Sequence, residues 1–348
     1  MTAPIQPVPP TLERLDRAHV PAAVAQALRA GAFVSPADSG VFDVTGPSAV
    51  SCLQGLLTND VEAPGDGAFL YGAILTPKGM ILADAWAARI GATVRCTVPA
   101  AGQERALAIL RRSIPPRLAR VNDRTAELVT LRVAGPAALA LAEAARLPIP
   151  GHPASVSDTD LDGAPLQAAR APELAPFTLQ YQAAPDVAAR IRERLVTAGT
   201  VDAPPEALVF SRIVEGWPGL ASEVDEKTIP QEVRFDEIGG VSYTKGCYTG
   251  QETVSRLHFR GHANRTLRGL HFSAEPPAGP MPPVTFEDKE VGRVSSVTWV
   301  PDSPTSLGTW IGLGVLRHEV AVGATVRVGV VDARVSPLPF ALPHFDPA

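Results

Sequence analysis

The chain has 348 residues, and its formal net charge is −5. This length predicts two or three domains with a sizeable core, while the acidic balance argues against binding nucleic acid through its phosphates. No apolar run approaches the roughly 20 residues of a membrane span, and the first residues lack the basic and apolar segments of a secretory signal. We therefore expect a cytoplasmic monomer with no membrane partner and no direct nucleic-acid contact.

The cysteines and lysines narrow the possible chemistry. Cys52, Cys96 and Cys247 are odd in number and widely separated, which argues against a disulfide framework and against a paired-cysteine metal site. Only four lysines are present, and two of them, Lys78 and Lys245, stand directly before glycine. Because lysine and arginine are not interchangeable at a tight site, these two positions hint at a requirement for lysine, although chance explains the pattern equally well.

The first 200 residues predict two successive sets of helices and strands. The first set comprises a helix over 12–31, a strand over 40–44, a helix after Ser48, strands over 68–75 and 80–87 around a turn, and a helix over 101–112. The second set comprises a strand over 127–133, a helix over 136–146, short strands within 151–182, and a helix over 184–198. Such repeated interleaving favours two α+β units over one long parallel sheet.

The remaining sequence divides into two segments that differ in their residue patterns. Residues 200–265 carry few periodic signals but many polar and turn residues, which is typical of functional loops. Beyond them, short apolar runs over 267–272, 291–297, 311–316 and 325–331 predict strands of a small barrel or sandwich. We place the domains at residues 12–125, 126–265 and 266–345, and the first two can be intertwined.

The stretch Lys245 to Glu252 concentrates the unusual chemistry, and it reads Lys-Gly-Cys-Tyr-Thr-Gly-Gln-Glu. Its two glycines permit close approach of the backbone to a ligand, and a nearby cation favours the thiolate of Cys247. Tyr243 and Tyr248 offer flat faces for a heteroaromatic ring. The residues alone leave open a plain glycine-bounded turn with a buried cysteine and two core tyrosines.

Two histidines follow this motif. His258 and His262 are four residues apart, a spacing that places two imidazoles on one helical face, where they would form a metal site together with Cys247. Gly261 and the flanking arginines argue against a stable helix there, and no complete ligand set is evident. We therefore predict no metal site.

The motif resembles the signature of the YgfZ family, which belongs to the superfamily of the glycine-cleavage T-protein, an aminomethyltransferase. The segments Leu53–Asp60, Tyr71–Gly79 and Arg212–Gly216 resemble further pieces of that superfamily in the same order. The resemblance implies three domains, two ferredoxin-like α+β units and a C-terminal β-barrel, around a central pocket that binds folate.

The resemblance also implies roles for individual residues. Glu215 corresponds to a carboxylate that holds the pterin, Asp84 lies near the key acid of the T-protein, and Tyr71 belongs to the strand beside it. The T-protein has two adjacent acids where this chain has Ala83-Asp84, and an arginine where this chain has Gln251. We predict Glu215, Asp84, Tyr71 and Gln251 as folate contacts. Cys247 and Lys245 are the candidate catalytic residues, although the chemistry of the thiol stays open.

The resemblance favours a tetrahydrofolate-binding accessory protein that supports assembly or repair of iron–sulfur enzymes, with tRNA-modifying enzymes as possible clients. One alternative is a tetrahydrofolate-dependent aminomethyltransferase, which the missing second acid and Gln251 disfavour. A second alternative is a cysteine-dependent redox enzyme or hydrolase that uses Cys247. That enzyme would need a base, and the histidine nearest in sequence is His258.

Overall fold

The computed structural model describes residues 11–301 and 308–341. Its helices are α1 (Ala22–Ala30), α2 (Ala49–Gln54), α3 (Gln103–Ser113), α4 (Ala138–Ala144), α5 (Pro185–Thr197), α6 (Glu206–Val214) and α7 (Gln251–Arg260), with single 3₁₀ turns at Ala100–Gly102 and Pro230–Val233. Its first nine strands are β1 (Glu13–Leu15), β2 (Phe33–Ala37), β3 (Ser39–Thr45), β4 (Phe69–Leu75), β5 (Ile81–Ile90), β6 (Thr93–Pro99), β7 (Arg120–Asp123), β8 (Val129–Ala134) and β9 (Ser155–Leu161). The others are β10 (Ala164–Arg170), β11 (Leu179–Ala183), β12 (Val201–Asp202), β13 (Arg265–Phe272), β14 (Val284–Phe286), β15 (Lys289–Pro301), β16 (Gly308–Arg317), β17 (Thr325–Val328) and β18 (Val331–Ser336).

The first sheet has five antiparallel strands in the order β4-β5-β6-β3-β7. Successive side chains of a strand point to opposite faces, and β5 shows this clearly. Ala83, Ala85 and Ala87 pack with α2 and α3 in one core, whereas Trp86 and Ala88 belong to the central core of the molecule. The alternation therefore turns Asp84, which lies between Ala83 and Ala85, toward the molecular centre.

The second sheet has six strands in the order β12-β2-β8-β11-β10-β9. On β8, Leu131 and Val133 pack against α4 and α5, whereas Ala134 belongs to the central core. Arg132 therefore shares the inward face with Ala134. The two α+β units turn these inward faces toward one another, and α6 lies in the core between them.

The third sheet is a closed six-stranded barrel, because β15 pairs with both β14 and β16. The N-terminal strand β1 adds to it in parallel with β15. This architecture of mixed α and β units with a C-terminal barrel confirms the predicted fold class. The domain limits at residues 125 and 265 stay a prediction, and β1 and β2 pair with strands of the later units.

Several local predictions were wrong. Residues 12–31 contain β1 before the helix, which begins only at Ala22. Residues 200–265 were expected to be mainly loops, with no stable helix around His258 and His262, yet α6 and α7 lie there and α7 includes His258. The interruption at Gly329 divides the single strand predicted over 325–331 into β17 and β18, since a φ of 62° at this residue is incompatible with strand geometry.

Candidate functional site

A cavity of about 320 Å³ lies where β5, β8, α6 and the N-terminal strand meet. Its wall combines three aromatic side chains with five ionisable ones. These are Trp86, Phe177, Trp217, Asp84, Asp38, Arg132, Arg212 and Glu13. An apolar cleft with a few convergent polar groups is the usual form of a small-molecule site.

Asp84 is the acidic group at the inner wall, and it is only 5% exposed. Tyr71, which is 3% exposed, donates a hydrogen bond from its hydroxyl to Asp84 Oδ2 at 2.7 Å. The other carboxylate oxygen, Oδ1, is buried and has no hydrogen-bond partner among residues 11–301 and 308–341. Burial raises the pKa of Asp84, although Tyr71, Arg132 and Arg212 oppose the rise. A buried oxygen without a partner is costly, so this oxygen is suited to a donor from a ligand.

The aromatic walls offer surfaces for a flat ligand. Trp86 and Trp217 are stacked, with ring centroids 5.6 Å apart and an interplanar angle of 15°. Phe177 meets Trp86 edge to face at 4.8 Å, and Tyr71 lies 4.8 Å from Trp217. These rings are fixed by mutual packing, so the cavity presents rigid π faces beside the Asp84 carboxylate.

Arg132 brings a positive charge to the same cavity. Its Nε donates to Gln180 Oε1 at 3.1 Å, and its guanidinium carbon lies 4.3 Å from the centre of the Phe177 ring. Burial lowers the pKa of Arg132 to about 10, while Asp84 and Tyr71 oppose this shift. The side chain therefore remains charged at neutral pH.

Arg212 fixes the opposite wall through a network of charge-assisted bonds. It donates to Glu223 Oε2 at 2.7 Å, to the carbonyl of Trp217 at 2.7 Å and to Ser296 Oγ at 2.9 Å, and it also pairs with Glu13. Burial opposes ionisation of Glu223, but Arg212 and Ser296 outweigh it and lower the pKa of this carboxyl. These contacts join α6 to the barrel and to β1, so Arg212 is already occupied by protein groups.

Lys245 points away from solvent and is 7% exposed. Its Nζ donates to the carbonyls of Gln54, Leu57 and Asn59, each at 2.7 Å, and lies 5.1 Å from the centre of the Tyr248 ring. Three such bonds use the full donor capacity of an ammonium group. Lys245 thus ties its own loop to the chain that leaves α2.

Cys247 lies on the same loop as Lys245 and Gln251 follows this loop, and both residues are outside the lining of the cavity. Cys247 is exposed, and Gln251 is the first residue of α7. The loop docks on the β4–β5 turn through Gly250, where an added Cβ would lie 2.5 Å from the carbonyl oxygen of Thr76 and the φ is +84°. Both the contact and the dihedral angle require glycine here. The loop therefore braces the hairpin whose second strand carries Asp84.

Glu215 directly follows α6 as its C-cap residue and is half-buried, but it is not part of the cavity lining. Burial raises the pKa of its carboxyl, while Arg234 opposes the rise. Of the six predicted site residues, the structure therefore brings together Asp84 and Tyr71. Glu215, Gln251, Cys247 and Lys245 lie elsewhere, and their roles stay predictions.

Comparison with known proteins places this architecture in a family. The chain is 30% identical over 324 residues to the aminomethyltransferase of Rubrobacter xylanophilus, a match that covers 87% of this chain and 83% of that protein. It is 28% identical to the tRNA-modifying protein YgfZ of Cronobacter sakazakii, over 89% of this chain and 93% of that protein. Residues 23–171 match the model of the GCVT N-terminal domain. The chain belongs to the YgfZ/GcvT-like family.

The fold agrees with that membership. The crystal structure of the glycine cleavage system aminomethyltransferase T from Bartonella henselae superposes with a TM-score of 0.78, covering 93% of this chain and 90% of that one at 18% identity. This identity supports a common fold alone. The family resemblance deduced from the motif and the T-protein-like fold are thus both confirmed.

Two ring pairs involve the residues around the YgfZ-type motif, and neither belongs to the cavity lining. Tyr243 stacks on His258 with ring centroids 3.6 Å apart, and its hydroxyl donates to Asp236. His262 lies beyond the end of α7 and stacks on His318 at 4.6 Å. Within the described part of the chain, no three histidine, cysteine, aspartate or glutamate residues are close enough to hold a metal ion. Its helices are also all too short or too polar to span a bilayer.

Several residues of the cavity were not predicted from the sequence, among them Arg132, Trp86 and Phe177. A signal for Arg132 was present, because it is the single charged residue in the otherwise uncharged strand Val129–Ala134. Trp86 lies two positions from Asp84 and so shares its face of β5. Phe177 follows a proline in a loop and carried no such periodic signal.

Proposed function

We propose that the protein binds a folate in the cavity beside Asp84. The observation that carries the proposal is the unpartnered Asp84 Oδ1 inside an aromatic wall. A reduced pterin is flat and presents ring N–H donors, so it complements both features. Tyr71 orients the carboxylate from behind through its hydrogen bond to Oδ2. In this arrangement Asp84, rather than Glu215, receives the pterin.

We further propose that the folate serves an accessory protein for iron–sulfur cluster assembly or repair, with tRNA-modifying enzymes as clients. The similarity to proteins named as tRNA-modifying supports this assignment. The exposed Cys247 is a suitable contact for such clients because its loop is anchored while its thiol faces solvent. Clients that modify tRNA explain the relatives' names without direct RNA binding by this acidic chain.

An aminomethyltransferase is the second candidate, favoured by the similarity to the Rubrobacter protein over most of the chain. Against it, Ala83 replaces a second acid and packs in the helical core of the first unit. A cysteine-dependent enzyme has less support, since no hydrogen bond or ion pair joins Cys247 to any other described residue. Formation of methylene-tetrahydrofolate from an aminomethyl donor, lost in Asp84→Asn, would favour the transferase.

Titration with tetrahydrofolate under anaerobic conditions tests folate binding. We expect one folate per chain by calorimetry, together with quenching of tryptophan fluorescence, because Trp86 and Trp217 line the cavity while Trp299 and Trp310 lie in the barrel. Substitution of Trp217 by phenylalanine should remove much of the quenching. The absence of both heat and quenching at millimolar folate would contradict the proposal.

Complementation of a YgfZ-deficient bacterial strain tests the proposed pathway. We expect the wild type to restore the activity of iron–sulfur enzymes that modify tRNA, and Cys247→Ala to fail while remaining folded. Cys52→Ala is the matched control, because Cys52 is a half-buried thiol on α2 at the edge of a hydrophobic core. Equal rescue by the wild type and Cys247→Ala would show that the function does not require the thiol.

A further inference from the structure

We propose that Arg132 determines which pteridine the cavity accepts, by donating hydrogen bonds to the oxo group at position 4 of the ring while Asp84 accepts from a neighbouring ring N–H. This inference rests on the proposed folate binding and deepens it. It assigns a ligand contact to a residue that lies outside every motif discussed above.

The position of Arg132 is set by backbone geometry. It lies on β8 between Leu131 and Val133, which pack in the outer core, so its side chain is directed to the inner face. The strand pairing places Arg132 opposite Gln180 on β11. Both positions lie on inner strands of the second sheet, so the backbone that carries the cation belongs to a strand and not to a loop.

Two neighbouring side chains fix the orientation of the Arg132 guanidinium. Gln180 accepts from Nε, and the ring of Phe177 supports the guanidinium plane. Neither Nη atom forms a hydrogen bond with another residue in the described ranges. A planar guanidinium fixed at one edge and one face presents its free N–H groups in a defined direction.

Arg132 is not simply the counter-ion of Asp84. Both side chains line the cavity, yet no nitrogen of Arg132 lies within the 4.0 Å of an Asp84 oxygen that would make a salt bridge between these described residues. Asp84 Oδ1 also lacks any hydrogen-bond partner in the described chain. The donor and the acceptor are therefore separated and unsatisfied toward the cavity, and a ligand edge can lie between them.

The edge that fits such a pair carries an acceptor beside a donor. In a tetrahydropterin the oxo group at position 4 is flanked by N–H groups at positions 3 and 5, so either side of it offers an acceptor next to a donor. The 4-amino analogue presents a donor where the oxo group was, which would oppose the guanidinium N–H groups. A site that bonds one polar group strongly rejects an analogue that lacks it.

The test compares tetrahydrofolate with its 4-amino analogue, tetrahydroaminopterin, by anaerobic calorimetry. We expect the wild type to prefer the 4-oxo ligand by at least about tenfold, the effect of one charge-assisted hydrogen bond. Arg132→Met should reduce that preference by at least about fivefold, and any preference that remains reports the N–H at position 3, which the 4-amino analogue also lacks. Arg132→Lys keeps the charge but not the planar donor pair and should give an intermediate preference. Arg192→Met, on the exposed face of α5, is the control and should retain the full preference.

The outcomes separate the inference from the proposed function. Failure of the wild type to bind either pteridine would overturn the proposed function, and this inference with it. Binding of both ligands with equal affinity, or a preference that Arg132→Met leaves unchanged, would overturn the inference alone. If Arg132→Met does not fold, the wild-type preference and Arg132→Lys still decide, because a full preference in Arg132→Lys contradicts the role assigned to the planar guanidinium.

Discussion

Replacing Asp84 by asparagine should weaken tetrahydrofolate binding by at least about tenfold, and it should raise the melting temperature of the ligand-free protein. Binding weakens because the amide is a poorer acceptor than a carboxylate for a ligand N–H. Stability rises because the wild type buries an anion whose Oδ1 has no partner in the described protein. Calorimetry and thermal unfolding of both proteins measure the two effects.

The pH dependence of these effects follows from the direction of the pKa shift. Burial raises the pKa of Asp84, so the folded state binds this proton more tightly than the unfolded state does. The carboxyl therefore destabilises the folded protein progressively as pH rises from its usual value of 3.8, and this cost is complete once pH exceeds the folded-state pKa. We expect the stability advantage of Asp84→Asn at neutral pH to shrink on acidification. Folate binding by the wild type should weaken over the same range.

Asp202→Asn is the control for the Asp84 variant. Asp202 is an exposed carboxylate that pairs with Arg192, so neither folate binding nor the melting temperature should change appreciably. A decrease in stability for Asp84→Asn would contradict the account of an unsatisfied buried anion. Unchanged folate affinity would remove Asp84 from the ligand site.

The fold could be predicted from segments whose apolar residues repeat with the period of a helix or of a strand, because that period depends only on neighbouring residues. The alternation of β5 is enough to turn Asp84 and Trp86 to the same face, and the family motif is continuous in the chain. For this reason the sequence predicted the two α+β units and the barrel. It also predicted that the strand of Asp84 pairs with the strand of Tyr71. Helix α6 was harder to predict, because it is largely apolar and has few polar residues that would reveal a helical period.

Contacts across long sequence distances could not be predicted in the same way. Lys245 and Cys247 are neighbours in the motif, yet the lysine is directed to carbonyls nearly 190 residues earlier, while the thiol faces solvent. The resemblance assigns Glu215 to the pterin, and this assignment stays a prediction; its neighbours Arg212 and Trp217 line the cavity, whereas Glu215 does not. Local spacing contains no information on such differences in the tertiary structure.

Replacing Lys245 by methionine should lower the free energy of unfolding by about 2–4 kcal/mol. Methionine retains the length of the side chain but leaves the carbonyls of Gln54, Leu57 and Asn59 without their shared donor. Urea denaturation monitored by circular dichroism measures the change. Lys78→Met is the matched control, since Lys78 also precedes a glycine but is exposed, and it should change the free energy by less than about 0.5 kcal/mol.

The pH dependence distinguishes this structural role from general loss of a charge. Burial lowers the pKa of Lys245 to about 8, although Asp60 and Glu62 oppose the shift. The unfolded state then binds the proton more tightly, so the wild type gains stability relative to Lys245→Met as pH rises from about 8 toward the usual value of 10.5. A constant difference across that range, or a methionine variant as stable as the control, would show that the lysine is not an anchor. With the anchor confirmed, loss of function in Lys245 variants would follow from displacement of the loop that presents Cys247.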